Sequence, residues 1–197
     1  MALGSHIILS AYGFWLPNDP RGSWSDFVGA YELYRFGCAT KMTSRLSVAG
    51  ALHDAKARLA AKKALKYPPV HFNGLQARAV GRGFSDCVRS ANFVVWACAI
   101  LPDHAHLVIA SHRISPDRIA NLLKGGSTRR LVQEKIHPLA AYPMRAGRMP
   151  KAWARGQWKV FLDTPADVCR AVAYVEANPA KQGLPPQQWS FVRPYNA

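Results

Sequence analysis

The sequence predicts an α+β fold: a ferredoxin-like βαββαβ antiparallel sheet with one added C-terminal helix. Three observations carry that prediction. Short apolar runs at residues 6–12, 93–100, 104–110 and 158–162 have strand character. Segments with helix-start signals stand between and after them. The two middle runs are separated by little more than Pro102-Asp103, a connection too short for anything but an antiparallel hairpin.

Taken in order, residues 6–12 (His-Ile-Ile-Leu-Ser-Ala-Tyr) are β-branched and apolar and end at Gly13, which predicts a buried first strand. Residues 13–25 hold Pro17, Pro20 and Gly22 between Trp15 and Trp24, so they form a loop decorated with aromatic and basic groups. Residues 26–70 lack a clear period. Within them, 51–66 are rich in Ala, Lys and Arg and predict an exposed basic helix stopped by Pro68-Pro69. A second helix is expected over 73–90, with Asn73 as cap, Gln76 three residues on, and Ala77, Val80, Phe84 and Val88 as its apolar positions; Gly81 and Gly83 weaken it.

The hairpin 93–110 follows. In its second strand His104 and His106 share one face, and Leu107 and Ile109 lie on the other. Ser115-Pro116 opens the next helix, which Gly125-Gly126 is expected to interrupt. Residues 134–156 read as a loop. The last helix starts at Thr164-Pro165-Ala166-Asp167, a capped start with an acid in the first turn. It faces Val168, Val172 and Val175 to the core and is expected to end at Pro179 and Gly183. No repeat or second domain is evident, so residues 1–197 read as a single domain.

The chain has 197 residues, 49% of them hydrophobic and 19% charged, which is a globular rather than a disordered balance. Its 26 Lys and Arg against 11 Asp and Glu leave a formal charge of +15, a surface that attracts polyanions. No long basic amphipathic helix argues for an anionic membrane instead, and no apolar stretch is long enough to span a bilayer. The four cysteines form no CxxC pair, so neither a zinc knuckle nor a disulfide scaffold is indicated. With no signal-peptide pattern, a reducing cytoplasm is the expected location.

Two fragments carry the chemistry. In Pro102-Asp103-His104-Ala105-His106, two imidazoles on one strand face can grip one metal ion, although the same spacing also suits two merely hydrogen-bonded histidines. In Tyr174-Val175-Glu176-Ala177-Asn178-Pro179, a phenol precedes an amide by about one helical turn. Both residues are expected on the flank of the apolar stripe; packing and helix termination are their ordinary roles there. A proline after Asn178 puts the i,i+4 geometry in question.

Together, residues 101–109 and 174–184 resemble the REP-associated tyrosine transposases, members of the single-tyrosine HUH transposases, in which two histidines flank one residue, usually hydrophobic. Ala105 fits that position, and residues 12–22 (Tyr-Gly-Phe-Trp-Leu-Pro-Asn-Asp-Pro-Arg-Gly) resemble a further block found in a subset of the family. Residues 26–70 stay unaligned and would be a family-variable insertion. The resemblance implies Tyr174 as nucleophile, His104 and His106 as metal ligands, and Asn178 as the third ligand. It further implies a divalent cofactor, Mg2+ before Mn2+, and single-stranded DNA with a hairpin as partner. The expected reaction is cleavage and rejoining through a 5′-phosphotyrosine, by a bacterial-type protein that is a monomer or homodimer.

A phenol titrates near 10 in water, so it needs a cation to polarise the scissile phosphate. No residue stands out as general base; Asp103 and Glu176 are merely close in sequence. For DNA contact, Lys124, Arg129 and Arg130 around Gly125-Gly126-Ser127-Thr128 are candidates, with backbone amides assisting, and Arg21, Arg155 and Lys159 are others. Trp15, Trp24 and Trp153 could stack on unpaired bases or close the core. Two other classes stay open: a domesticated hairpin-binding protein that does not cut, and a metal hydrolase unrelated to DNA.

Overall fold

A computed structural model describes residues 2–44, 48–144 and 146–196. Four strands, β1 (Gly4–Ser10), β2 (Val95–Ile100), β3 (His104–Ala110) and β4 (Trp158–Leu162), pair in the order β2-β3-β1-β4, every neighbour antiparallel. Helix α1 (Ala55–Lys63) follows a short 3-10 helix at Tyr31–Phe36. Helices α2 (Gly74–Ala91) and α3 (Pro116–Gln133) connect the strands, and α4 (Pro165–Lys181) comes last. This is the expected βαββαβ order with its added helix. The first strand begins two residues earlier than the apolar run suggests and releases Tyr12 to the loop.

Period-two alternation sorts the sheet into two faces. Ile7, Leu9, Ala105, Leu107 and Ile109 pack with Val80 and Phe84 of α2 and Ile119 and Leu123 of α3. Ala97, Ala99, Val108 and Leu162 pack on the opposite face with Val168, Ala171 and Val175 of α4. A bulge between Val95 and Ala97 lets Trp96 and Ala97 both contribute to the α4 side. The outer edge of β2 is closed by Gln187, whose amide both accepts from Ile100 N–H and donates to its carbonyl, each at 2.8 Å.

Caps set the helix starts. Asn73 and Gln76 form a reciprocal capping box at α2, and Thr164 and Asp167 form another at α4. The expected exposed basic helix is shorter than its composition suggests and starts where Asp54 accepts from Ala57 N–H at 2.9 Å.

Two expected breaks are absent. Helix α3 runs through Gly125-Gly126, and Gly126 serves a helix–helix contact rather than a turn. A Cβ on Gly83 of α2 would lie 2.5 Å from Ser127 Cα, and one on Gly126 would strike Cys87 Sγ. The missing side chains let the two backbones approach. Helix α4 likewise continues past Pro179 to Lys181. Pro179 lacks the N–H that would reach the Val175 carbonyl. The helix ends one turn later where Gly183, at φ 67°, donates to Ala180 O and Leu184 N–H reaches Pro179 O. Among the described residues no helix is long and apolar enough to cross a membrane.

Candidate active site

Strand parity turns His104 and His106 toward the α4 side of the sheet. In the β1–β3 register His104 lies opposite Ser10, His106 opposite Ile8, and Val108 opposite His6, so His6 shares that face. Helix α4 crosses it with a buried stripe of Val168, Ala171, Val175 and Asn178, spaced three, four and three. Asn178 is therefore not on the flank, as expected, but in line with the stripe and 7% exposed. Tyr174 is on the flank, 42% exposed. Because the helix passes through Pro179 unbroken, the turn between Tyr174 and Asn178 keeps its i,i+4 geometry.

The aromatic contacts tie these elements together. The Tyr174 ring centroid is 5.6 Å from that of His106 and 5.9 Å from that of His6, edge-on to both. Lys181 Nζ sits 4.7 Å from the Tyr174 ring centroid. His104 stacks on Phe14 at 4.7 Å with planes 9° apart.

Each imidazole of the pair is held through Nδ1. Asp103 Oδ1 lies 2.7 Å from His104 Nδ1, and His6 Nε2 lies 3.0 Å from His106 Nδ1. Burial pushes His106 down to about 2, assisted by the positive fields of His104, His6 and Lys181, and burial alone pushes His6 down to about 4. Both are neutral rings with a lone pair to offer. Neither His104 Nε2 nor His106 Nε2 has a hydrogen-bond partner among the described residues. The Asn178 Nδ2 is buried without a partner, and a turn of the amide would place its oxygen there. Two imidazole nitrogens and an orphaned amide fit a divalent cation with positions left for substrate. Among the described residues no three His, Cys, Asp or Glu side chains form a ready-made cage.

His104, His106, Tyr174 and Asn178 line a cleft of about 400 Å³. Its other walls are Phe14, Trp15, Leu16, Trp24, Met42 and Trp158, so it joins a polar floor to an aromatic annex. Met42, Val48 and Ala49 bring the segment between β1 and α1 into its lining.

The expected basic cluster on α3 does not assemble. Ser127 and Gly126 are buried within the helix, where the amides of 125–128 belong to the helical ladder and form no anion nest. Lys124 is buried and donates to the carbonyls of Ala154 (3.1 Å) and Gly156 (2.6 Å), clamping the loop beside the cleft; burial pushes it down to about 8. Arg130 pairs with Asp86 at 2.5 Å, and Lys159 pairs with Asp117. Arg21 grips the buried Asp19 through two 2.8 Å bonds and lies 3.9 Å over the Trp15 ring. Arg129 is exposed, and so is Arg155, which sits 5.6 Å from the Phe27 ring centroid.

The tryptophans divide. Trp153 is core: 4% exposed, beside Phe72 at 5.0 Å and donating to Ser127 Oγ at 3.0 Å. Trp24 is 39% exposed and stacks on Trp158 at 4.9 Å by the cleft. His6 is the site residue that sequence reading missed. Its signal was a basic side chain at even spacing from Ile8 and Ser10, on the face opposite Ile7 and Leu9.

No family model matches this chain, and no curated protein matches its sequence. Among solved structures, that of a REP-associated tyrosine transposase bound to a REP hairpin is similar over 100% of this chain and 95% of that chain, with a TM-score of 0.48 and 11% sequence identity.

Proposed function

We propose that this chain is a metal-dependent single-strand DNA endonuclease and strand transferase that acts near hairpins through a covalent 5′-phosphotyrosine. The observation that carries the reading is spatial. A phenol, two imidazoles and an unpartnered amide, from two motifs far apart in sequence, line one cleft of a protein with a charge of +15. The motif resemblance to REP-associated tyrosine transposases supplies the chemistry that unites them.

Tyr174 is the nucleophile. Its hydroxyl gives up a proton, its oxygen bonds to the scissile phosphorus, and the bond from phosphorus to the 3′ oxygen breaks. The departing oxygen takes a proton and leaves as a 3′-hydroxyl, while the 5′-phosphate stays on Tyr174. Attack by a 3′-hydroxyl reverses the step, so rejoining requires no nucleotide triphosphate. His104, His106 and Asn178 would hold the divalent ion. When bound, that ion withdraws charge from the phosphate. The imidazole donors suit Mn2+ at least as well as Mg2+. The ammonium of Lys181 lies against the Tyr174 ring, beside the place where the scissile phosphate would sit.

The Trp24–Trp158 wall offers aromatic faces to unpaired bases, the property that separates single strands from duplex. Exposed Arg129 and Arg155 would meet backbone phosphates.

The test is incubation with a labelled DNA hairpin carrying a single-stranded flank, with Mn2+ or Mg2+. A covalent protein–DNA band on a denaturing gel, absent for Tyr174→Phe, is the expected result. Tight binding with no such band would make the protein a hairpin binder that does not cut. Neither binding nor cleavage would favour a metal hydrolase that does not act on DNA.

A further inference from the structure

We propose that His6 is a positioning residue that accepts a hydrogen bond from the Nδ1–H of His106 and so selects the tautomer whose Nε2 is free to bind metal. The proposal deepens the reading above and rests on its assignment of His106 as a ligand.

The argument is a count of protons. His6 Nε2 and His106 Nδ1 lie 3.0 Å apart, so one proton stands between two ring nitrogens. A neutral imidazole has one N–H and one lone pair. If His6 donated, His106 would carry its proton on Nε2 and offer nothing to a cation. If His106 donates, its Nε2 lone pair is open. At His104 the partner is a carboxylate, which accepts only, so Nδ1 of His104 donates to Asp103 at 2.7 Å. Both rings are then tied at Nδ1 and both present Nε2, one through a carboxylate and the other through an imidazole. Second partners of this kind fix ligand orientation and basicity.

The sheet builds this device. His6 lies opposite Val108 in the β1–β3 register, one pleat along from the Ile8–His106 pair, which places it diagonally across from His106. The rings meet at 5.2 Å between centroids, tilted by 31°. The other half of the device, Asp103, precedes β3 at the hairpin turn. The two supports therefore come from different parts of the chain and converge on one strand.

The experiment has two readouts. Long-range 15N–1H correlation NMR of the metal-free protein reports which nitrogen of His106 is protonated, with Nδ1–H expected in wild type. Calorimetric titration with Mn2+ measures affinity. His6→Phe is expected to bind about 10–100-fold more weakly, and His6→Gln, whose amide oxygen accepts, to return within about threefold of wild type. An Nε2–H tautomer in wild type overturns the proposal without any variant having to fold. So does a His6→Phe protein that binds Mn2+ as tightly as wild type, or a folded His6→Gln protein as weak as His6→Phe. Affinity that depends on His6 in a protein forming no DNA adduct supports the positioning role and overturns only the cleavage reading. A wild-type protein with no Mn2+ binding at millimolar concentration overturns both.

Discussion

The Tyr174 ring stands edge-on to the His106 imidazole, centroids 5.6 Å apart and planes at 82°. That contact joins α4 to β3 and uses the ring, not the hydroxyl. Tyr174→Phe should keep it. Chemical denaturation should then show stability within about 0.5 kcal/mol of wild type, while adduct formation disappears.

Asn178 makes the opposite kind of prediction. It occupies a position on the buried stripe where a leucine would pack, and its Nδ2 is buried and unpartnered. A buried unpaired polar group is unfavourable by about 1–3 kcal/mol. Asn178→Leu should therefore leave stability equal to wild type or raise it by about 1 kcal/mol. Its Mn2+ affinity should fall by about tenfold or more. Denaturation and calorimetric titration on the same sample check both halves.

Asp19 and Arg21 form a bidentate ion pair whose side chains are 0% and 9% exposed. The pair holds the loop that supplies Trp15 to the cleft. Removing one partner leaves the other desolvated, so Asp19→Ala should cost about 3–5 kcal/mol in urea denaturation. Arg21→Lys should lose part of that, because an ammonium cannot make the fork or lie flat on Trp15.

Gly83 and Gly126 set the spacing of α2 and α3. Alanine would raise helix propensity at either position by about 1 kcal/mol. The contact reverses the sign. Gly83→Ala meets backbone at Ser127 and should destabilise by about 1–3 kcal/mol, more than Gly126→Ala, whose nearest obstacle is the Cys87 side chain, with backbone at Gly83 O no closer than 3.0 Å. Thermal unfolding of the two variants gives the order.

Asp117 in the first turn of α3 accepts from Lys159 and Gln157 of the last strand region. The hydrogen bond from Lys159 holds its carboxyl below the ordinary range, with Gln157 adding to it. A depressed carboxylate stabilises the fold above its unfolded value of about 3.9, and that stability is lost as pH falls through the lower folded value. Asp117→Asn should flatten this part of the stability–pH curve. The carboxylate is half exposed, so the difference at neutral pH should stay under about 1 kcal/mol.

Much of the fold was legible in local pattern. The strand over 104–110 and the one over 158–162 match their apolar runs residue for residue, because alternation and flanking breakers act within a few residues. The starts of α2, α3 and α4 were legible for the same reason, since a cap is a contact between residues three apart. Misreadings came where a distant partner overrode the local preference. Gly125-Gly126 looked like a break, but α3 is continuous there and Gly126 lies against α2. Lys124 looked like a phosphate contact until the carbonyls of 154–156 surrounded it.

By itself, the sequence determined the order of strands and helices, the shared face of His104 and His106, and the strong positive charge. All of these depend on backbone period or on composition. Only the tertiary structure decided that Tyr174 lies against His106, that Asn178 is buried, that His6 supports a ring a hundred residues away, and that most of the candidate basic residues are occupied. Those outcomes depend on strand register and helix crossing, which are set by the packing of the whole core and leave no mark at the individual positions.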